Sequence, residues 1–396
     1  MKILMLTPYL PYPLMSGGQT RSYNLIKNLS KKHEITLFSL IKDDNEKKYI
    51  SELQKYCKKV SVFKRPKTPW TFRNIFLTGF GPYPFLVIRN LVPEERDAVK
   101  EEMSKEKYDL IHAETFYVMP HIPKTNVPVL LVDQTIEYLV YKHFVEDQSP
   151  LLLRPILWID ILKIRFWETF YWKQSKMVVA MSDSDAEAMK DLMPKLDVRI
   201  VPNGVDIDYF SAPRREVGEI AKILYVGFFS WLQNAEAAEA LILRVWPDIK
   251  SEVSKSKLWI VGKNITDRIK SFASAEVEVT ESIPDIRDAY RTSSVLVAPI
   301  KGPGGTRLKI LEAMASSLPV VTTPIGAEGL GLDDGKEALI RASERQLAKA
   351  AVSILKNKNL AEKLGRAGKK FVETNYSWEK SAELLDKLYK EVVLIK

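Results

Sequence analysis

Short apolar runs that end in turn residues recur along the whole chain, and most precede a stretch with helical periodicity. Continuous apolar runs suit strands that helices cover on both faces, as in a parallel sheet. In the first half they are KILMLTPY, HEITLFSL, KVSVFKR, YDLIHAE, VPVLLVD, MVVAMS and VRIVPNG, and in the second AKILYVGF, KLWIVGK, VEVTE, VLVAPI and LPVVTTP. This alternation predicts an α/β fold in which each half builds its own parallel sheet.

The length of the chain predicts two domains. Single hydrophobic cores stop growing near about 250 to 300 residues, and this chain has 396. Pro202-Asn203-Gly204 interrupts the strand pattern and is typical of a turn. We therefore expect a first domain at residues 1–201 and a second at 202–379. The end of the chain, from Tyr376 on, predicts a helix with Ser377 as a candidate N-cap.

Composition favours a soluble protein that folds without disulfides or metals. Hydrophobic residues make up 46% of the chain and charged residues 28%, and Cys57 is the single cysteine. The histidines show no metal-ligand spacing, so we expect no metal site and no cofactor; they are His33, His112, His121 and His143. Prolines break the opening apolar run too early for a signal peptide, and no run reaches 18 apolar residues. We expect a cytoplasmic location.

Positive charge predicts an anionic partner of some kind. The formal net charge is +9 and the isoelectric point is about 9.2, which suits nucleotides, phospholipid head groups or nucleic acid. Residues Leu151 to Lys176 predict a long helix that mixes aromatic and basic side chains. Such a helix could lie on an anionic membrane surface or grip a lipid-linked acceptor. We favour a core helix with snorkelling basic residues, because Asp160 and Glu168 interrupt the pattern.

Two glycine-bearing loops follow strands of the predicted sheets, where ligands of open α/β sheets bind. The first spans residues 16–21, and Gly17 and Gly18 there would let a backbone approach a ligand before the next helix. An ordinary strand-to-helix turn is the alternative. The second spans residues 301–306 and precedes a predicted helix over 307–316. Arg307 and Lys309 add positive charge near its N-terminus, which favours a diphosphate.

Glu312 lies close to this basic pair in the sequence. A carboxylate would repel a phosphate group unless it faced the ribose. There it can accept hydrogen bonds from the ribose hydroxyl groups. This division of labour favours a nucleotide as the ligand. The alternative is a surface ion pair between Glu312 and Lys309 or Arg307, which contributes only about 0.3 to 0.5 kcal/mol.

Taken together, these stretches resemble the family 4 glycosyltransferases, which have the GT-B fold of two Rossmann-like domains with parallel sheets facing a cleft. The matching motifs lie in order along almost the whole chain: TPYLPYPLMSGGQTR, YDLIHAE, MVVAMSDSD, VPNGVDIDYF, ILYVGFFSW, LWIVGK, IPDIRDAYRTSSVLVAPI and GGTRLKILEAMASSLPVVTTPIGAEGL. The resemblance implies a metal-independent, retaining transfer of a sugar from a nucleoside diphosphate sugar to a glycan or lipid-linked glycan, in cell-surface polysaccharide or glycoconjugate synthesis. The first domain would bind the acceptor, the second the donor, and residues 380–396 would cross back to the first.

The resemblance also implies roles for individual residues. Glu312 would bind the ribose, and Arg307 and Lys309 the diphosphate. The other expected donor-binding residues are Gly17, Gly18, Asn203, Gly227, Phe228, Gly304, Gly305 and Thr306. Expected catalytic residues are Glu114, Gly18 and Arg307, and expected acceptor-binding residues are Arg21, Gln134 and Glu137.

Three departures from the family pattern shape these expectations. Many relatives carry two glutamates in this motif, and Glu312 matches the second of them. Gly304 stands at the position of the first. The backbone N–H groups of Gly304 and Gly305 would therefore face the sugar or its phosphate. Phe228 to Leu232 occupy a loop that often carries an arginine and a lysine, so Arg307 and Lys309 would neutralise the diphosphate alone. Glu114 replaces a frequent histidine and is a candidate for orienting the acceptor.

Other functions fit the sequence less well. The strings Asp183-Ser184-Asp185 and Asp206-Ile207-Asp208 could bind a metal, but helix capping is favoured in both settings. A GT-B epimerase or phosphorylase is the main alternative, and a basic nucleic-acid-binding protein lacks any recognition motif. A dehydrogenase is disfavoured because no G-x-G-x-x-G follows the first strand. A peripheral position on the inner face of the membrane is the alternative to a purely cytoplasmic location.

Overall fold

A computed structural model describes residues 1–147, 149–211, 219–302 and 307–394. The chain divides into two compact units. Unit 1 consists of Met1–Pro202 and Ser381–Lys396, and unit 2 of Asn203–Lys380. None of the helices in the described ranges is long and apolar enough to cross a bilayer.

The sheet of unit 1 is parallel throughout, with strands in the order β3-β2-β1-β4-β5-β6-β7. Central strands β1, β4 and β6 bury nearly every residue, which explains their continuous apolar runs. The strands are β1 (Lys2–Thr7), β2 (Glu34–Ile41), β3 (Lys59–Lys64), β4 (Leu110–Glu114), β5 (Val129–Val132), β6 (Met177–Ala180) and β7 (Val198–Ile200).

Helices cover this sheet. In the core, Leu6 and Ile111 of the sheet belong to one cluster with Tyr171 and Trp172 of α7. The helices are α1 (Gly17–Leu29), α2 (Ile50–Leu53), α3 (Phe72–Phe80), α4 (Phe85–Ile88), α5 (Pro93–Lys105), α6 (Glu137–Asp147), α7 (Arg154–Gln174) and α8 (Asp183–Leu192), with short 3₁₀ turns at Asp44–Tyr49, Phe116–His121 and Leu151–Leu153.

Unit 2 repeats this plan with strand order β10-β9-β8-β11-β12-β13, again parallel. The strands are β8 (Ala221–Phe228), β9 (Ser256–Lys263), β10 (Val277–Thr280), β11 (Val295–Ala298), β12 (Val320–Thr322) and β13 (Leu339–Ile340). The α/β prediction with two parallel sheets is thereby confirmed, and β13 is a strand that the sequence pattern did not predict.

The helices of unit 2 leave buried clusters on both faces of its sheet. They are α9 (Ile207–Phe210), α10 (Leu232–Ala240), a π-helical turn at Leu241–Val245, α11 (Trp246–Glu252), α12 (Asp267–Lys270), α13 (Ile286–Thr292), α14 (Leu308–Ala315), α15 (Pro324–Ala327), α16 (Glu344–Lys356) and α17 (Lys358–Asn375). The last helix, α18 (Trp378–Leu394), belongs to unit 1 from Ser381 on.

Candidate functional site

The predicted diphosphate site lies at the carboxyl edge of the sheet of unit 2. Strands β8 and β11 are hydrogen-bonded neighbours, so the chain after Phe228 and the chain after Ala298 leave the sheet at the same edge. Helix α14 begins at Leu308, with Arg307 in the N-cap position. Ligands of open α/β sheets bind at such an edge. The predicted residues Gly304, Gly305 and Thr306 lie outside the described residues.

Lys309 points into a polar cluster formed by two other elements. Its Nζ lies 2.5 Å from Asn234 Oδ1 on α10 and 3.2 Å from the hydroxyl oxygen of Tyr225 on β8. Burial and, to a smaller extent, the nearby positive charge of Arg307 lower the pKa of Lys309 from 10.5 to about 7. Lys309 therefore loses its proton much more readily than an ordinary lysine does.

Arg307 supplies the second positive charge of this cluster. Its guanidinium donates a hydrogen bond to the carbonyl oxygen of Gly302 over 3.0 Å, and its charge acts on both Lys309 and Tyr225. Two cations near each other repel, and a bound dianion would convert this repulsion into two attractions. The arrangement is thus suited to an anion with more than one charge.

Glu312 lies one turn of α14 beyond Lys309 and is half-buried. Its carboxylate accepts a hydrogen bond of 2.6 Å from the hydroxyl group of Tyr290 on α13. Burial raises the pKa of Glu312, although Tyr290 and the charge of Lys309 oppose this shift. Glu312 therefore does not lie on a solvated helix face, as the alternative interpretation required, and one of its oxygens is held in place by a buried tyrosine.

Close packing fixes the end of β8 beside this cluster. The side chain of Asn234 donates a hydrogen bond of 2.9 Å to the carbonyl oxygen of Phe228, and a Cβ atom at Gly227 would come within 3.2 Å of Asn234. Asn234 thus links the predicted residues Gly227 and Phe228 to Lys309. Asn234, Tyr225 and Tyr290 had no predicted role, although the polar tyrosine inside the apolar run ILYVG was a usable signal.

The remaining predicted donor-binding residues have different surroundings. Asn203 is buried and is the first residue of unit 2. In unit 1, Gly17 and Gly18 form the first turn of α1 instead of a loop before it, because Ser16 caps the helix by accepting a hydrogen bond from the N–H of Gln19. The predicted strand-to-helix loop is therefore shorter than expected.

The structure shows a packing reason for a glycine at position 18. A Cβ atom there would lie 2.2 Å from the hydroxyl oxygen of Tyr9 and 2.7 Å from the amide oxygen of Gln134. Because real Cβ atoms do not come so close, no other residue fits without a shift of Tyr9 or Gln134. The missing side chain makes room for two side chains of the protein itself, and the approach of a ligand to Gly18 stays a prediction.

Glu114 is the centre of a buried network in unit 1. Its carboxylate accepts hydrogen bonds from His112 Nε2 at 3.1 Å and from Gln134 Nε2 at 2.5 Å, and Gln134 also donates to Tyr9 over 2.8 Å. Burial raises the pKa of Glu114, but the hydrogen bond from His112 and the charges of His112 and Arg21 outweigh it and lower the pKa overall. Glu114 is therefore ionised at neutral pH.

This ionisation fixes the roles of the neighbouring groups. An ionised carboxylate only accepts hydrogen bonds, so Nε2 of His112 carries a hydrogen, and Nδ1 of the same ring forms a hydrogen bond with the hydroxyl group of Tyr389 on α18. Arg21 is fully buried and donates to the carbonyl oxygen of Pro202 over 3.3 Å. The predicted residues Glu114, Gln134, Gly18 and Arg21 thus belong to one region of unit 1.

Glu137 has another environment. It is the first residue of α6, and its backbone N–H donates a hydrogen bond of 2.8 Å to the buried carboxyl group of Glu168. Burial raises the pKa of Glu137 to about 7, against the opposing charge of Arg89. Nothing in these contacts connects Glu137 with Glu114, and its predicted role at the acceptor stays a prediction.

The two Asp-x-Asp strings contribute to helix starts. Ser182 caps α8 by accepting a hydrogen bond of 3.2 Å from the N–H of Asp185. Asp206 caps α9 by accepting one of 2.9 Å from the N–H of Tyr209. Ser182 and Asp206 are therefore capping residues. Asp183 and Asp185 lie in the first turn of α8, where negative charge interacts favourably with the helix dipole.

Two sequence families match the chain, one in each half. Residues 15–209 match the family described as Glycosyltransferase Family 4, and residues 221–357 match the family described as Glycosyl transferases group 1. The phosphatidyl-myo-inositol mannosyltransferase of Mycobacterium leprae is 28% identical to this chain, over 48% of this chain and 53% of its own length. The chain thus matches about half the length of that relative.

Solved structures resemble the whole chain. A sucrose-phosphate synthase from Thermosynechococcus elongatus has a TM-score of 0.77 at 17% identity, covering 100% of both chains. Alr3699/HepE of Anabaena, solved in complex with UDP and glucose, has a TM-score of 0.70 at 14% identity, covering 98% of this chain and 99% of its own. These likenesses confirm the expected GT-B fold.

Proposed function

Because this chain belongs to the family 4 glycosyltransferases, we propose that it transfers a sugar from a nucleoside diphosphate sugar to a hydroxyl group of a glycan or lipid-linked glycan. The proposed transfer retains the anomeric configuration and uses no metal ion. The observation that carries the donor assignment is the cluster of Arg307, Lys309 and Glu312 at the carboxyl edge of the sheet of unit 2. A neighbour solved with UDP and glucose supports this donor class.

Arg307 and Lys309 bind the diphosphate in this proposal. Lys309 is held by Asn234 and Tyr225, and its lowered pKa means that diphosphate binding takes up a proton. Glu312 accepts the ribose hydroxyl groups, and the hydrogen bond from Tyr290 presents its carboxylate in one orientation. Preorganised groups of this kind stabilise charge without further rearrangement during the reaction.

The chemical step breaks the bond between the anomeric carbon and the diphosphate oxygen, forms a bond from that carbon to the acceptor oxygen, and releases the proton of the acceptor hydroxyl group to water. The departing diphosphate gains one negative charge, and the cations of Arg307 and Lys309 stabilise it. On the acceptor side, ionised Glu114 orients the attacking hydroxyl group, supported by His112 and Gln134. Arg21, Glu137 and Asn203 complete the proposed binding residues.

Donor binding is tested first, without any acceptor. A thermal-shift panel of nucleoside diphosphates and their sugars identifies the base and sugar, since a ligand that binds the folded state raises its melting temperature. Glu312→Gln should weaken binding of the preferred nucleoside diphosphate at least tenfold and leave binding of inorganic pyrophosphate unchanged. Glu252→Gln is the matched control, because Glu252 forms an exposed ion pair with Lys356. Equal affinities in both variants would remove Glu312 from the ribose site.

Product analysis separates the alternatives. A glycosyltransferase releases nucleoside diphosphate in step with glycosylated acceptor, whereas an epimerase changes the donor sugar without acceptor and a phosphorylase requires inorganic phosphate. Turnover of the donor under either of the last two conditions, with no transfer to any hydroxyl acceptor, would overturn the proposed reaction. Salt-dependent oligonucleotide binding without nucleotide-sugar binding would restore the nucleic-acid alternative.

A further inference from the structure

Helix α3 of unit 1 exposes an aromatic face to solvent. Phe72, Ile75, Phe76 and Phe80 follow the spacing that places side chains on one side of a helix, and Phe72 and Phe80 are each 84% exposed. Asn74 is buried and turns away from this face. A helix on the surface of a soluble protein usually packs its apolar face against the core, whereas α3 exposes this face to solvent.

The beginning of α7 has the same property. Ile156, Ile159, Leu162 and Phe166 are exposed and succeed one another at intervals of three or four residues, on one side of the helix. The 3₁₀ turn Leu151–Leu153 before them is also exposed, and Leu152 reaches 93%. Our interpretation of this segment as a core helix was therefore wrong for its outer side.

The acids that had favoured a core helix are turned towards the protein. Asp160 accepts a hydrogen bond of 2.9 Å from the N–H of Phe85, and Glu168 is fully buried and accepts from the N–H groups of Glu137 and Tyr138. Neither carboxylate therefore interrupts the exposed side of α7.

Hydrogen bonds join the two helices. Lys163 on α7 donates to the carbonyl oxygens of Thr78 and Gly81, at 2.5 and 2.8 Å, and Trp167 donates to that of Pro82 over 2.9 Å. These contacts place the end of α3 beside α7. We call the combination of the two exposed surfaces the α3–α7 face; its members are Trp70, Phe72, Ile75, Phe76, Phe80, Leu151, Leu152, Leu153, Ile156, Ile159, Leu162 and Phe166.

Positive charge borders the α3–α7 face. Residues 53–93, which include α3, contain no aspartate or glutamate but several lysines and arginines. Arg73 lies on α3, and Lys173 lies two turns beyond Phe166 on the same side of α7; in the described part of the chain neither forms an ion pair. Aromatic and aliphatic side chains rimmed by basic residues are the pattern of helices that lie in an anionic membrane interface.

We propose that the α3–α7 face inserts its apolar side chains into the surface of a bilayer that contains anionic lipid. Two neighbouring helices that both expose aromatic and aliphatic side chains are unusual for a protein that works free in water. A second copy of this chain is the other candidate occupant. Self-association through this face would bring its basic borders together, whereas anionic lipid head groups neutralise them, and charge complementarity thus favours the membrane.

The proposal does not depend on the identity of donor or acceptor, and vesicle flotation with the full chain tests it. Vesicles of phosphatidylcholine alone are compared with vesicles that contain about one third phosphatidylglycerol. We expect the wild-type chain to float with the anionic vesicles and to remain in solution with the neutral ones. Phe72→Asp combined with Phe80→Asp should reduce the bound fraction at least tenfold. Both side chains are exposed, and their ring contacts are with Phe76 on the same helix face, so the variant should fold.

Leu243→Ser is the matched control, because Leu243 is an exposed apolar residue of unit 2, and it should bind vesicles like the wild type. Nucleoside diphosphate binding in solution is measured for every variant, and unchanged affinity shows that a loss of flotation is not a loss of fold or of donor binding. Equal flotation of wild type and double variant, or absence of flotation, would overturn the proposal. A wild-type dimer by light scattering that the double variant dissociates, without vesicle binding, would assign the face to a second copy instead.

Discussion

Raising the pH should weaken the binding of nucleoside diphosphates, because Lys309 loses its proton. Without a bound diphosphate, burial and the charge of Arg307 lower the pKa of this lysine from 10.5 to about 7. A bound diphosphate adds negative charge beside the ammonium group and raises the pKa again. The protonated form is therefore the binding form, and affinity is lost as the pH rises through the pKa of the empty site.

The size of the effect follows from the two pKa values. If the diphosphate restores the pKa of Lys309 to its ordinary value, affinity falls about 50-fold between pH 7 and pH 9, or about 2.3 kcal/mol at 1.36 kcal/mol per tenfold change. At pH 8 binding should take up about 0.9 proton, since the empty site is then mostly deprotonated and the bound site protonated. The phosphate groups themselves titrate near about pH 6 and add no loss of affinity in this range.

Isothermal titration calorimetry measures both quantities. Dissociation constants are recorded at pH 7, 8 and 9, and at pH 8 in buffers of different ionisation enthalpy to count protons. Lys309→Met removes the titrating group and should give weak binding with a flat pH profile. Lys369→Met is the matched control, because Lys369 lies on α17 and its Nζ is 3.9 Å from Glu373. A change below threefold in the wild type, or the same slope in Lys309→Met, would refute the assignment.

Three shorter predictions address neighbouring contacts. Tyr290→Phe removes the hydrogen bond to Glu312, worth about 1.5 to 3 kcal/mol for a charged acceptor, and should weaken calorimetric binding of nucleoside diphosphate at least tenfold but leave pyrophosphate binding unchanged. Glu114→Gln should lower the rate of transfer at least tenfold in a product assay without changing nucleoside diphosphate affinity, because its contacts lie within unit 1. Gly262→Ala places a Cβ atom 1.8 Å from a carbonyl oxygen of β8 and should cost about 1 to 3 kcal/mol of stability, seen as a lower melting temperature, whereas Gly79→Ala, with open space around it, should not.

Strand positions could be predicted because each long strand carries its own apolar run. Strands β1 and β2, for example, are buried along most of their length and have mainly apolar sequences. Strand β13 has two residues, Leu339–Ile340, and pairs only with β12. A two-residue strand is too short to show any periodicity, and its position depends on the neighbour that it extends.

In the proposed donor site, residues could be predicted from the sequence only where they share one short motif. Arg307, Lys309 and Glu312 lie within six positions of each other, so their joint chemistry was visible in the sequence. Their partners are far away along the chain: Tyr290 lies 22 positions before Glu312, and Asn234 lies 75 before Lys309. Which side chains meet there depends on the strand order of the sheet, which local patterns do not determine.

Helix α7 shows a different limit. Its sequence is apolar on nearly all sides, so periodicity could not tell which side packs against the sheet. The positions of Asp160 and Glu168 were misleading because both carboxylates have backbone N–H partners inside the protein. A buried acid with such partners is compatible with a core position, and it says nothing about the opposite side of the helix.

The lowered pKa of Lys309 also affects how the site distinguishes the nucleotide sugar from the nucleoside diphosphate product. A nucleoside diphosphate carries one more negative charge than its sugar ester, so it should raise the pKa of Lys309 further and take up more of a proton on binding. The pH dependence of affinity should accordingly be steeper for the nucleoside diphosphate than for the intact donor. The difference between the two slopes measures how much more strongly Lys309 stabilises the charge that appears on the leaving group during transfer, which is the part of its binding energy that accelerates the reaction. Equal slopes would mean that Lys309 only holds the donor.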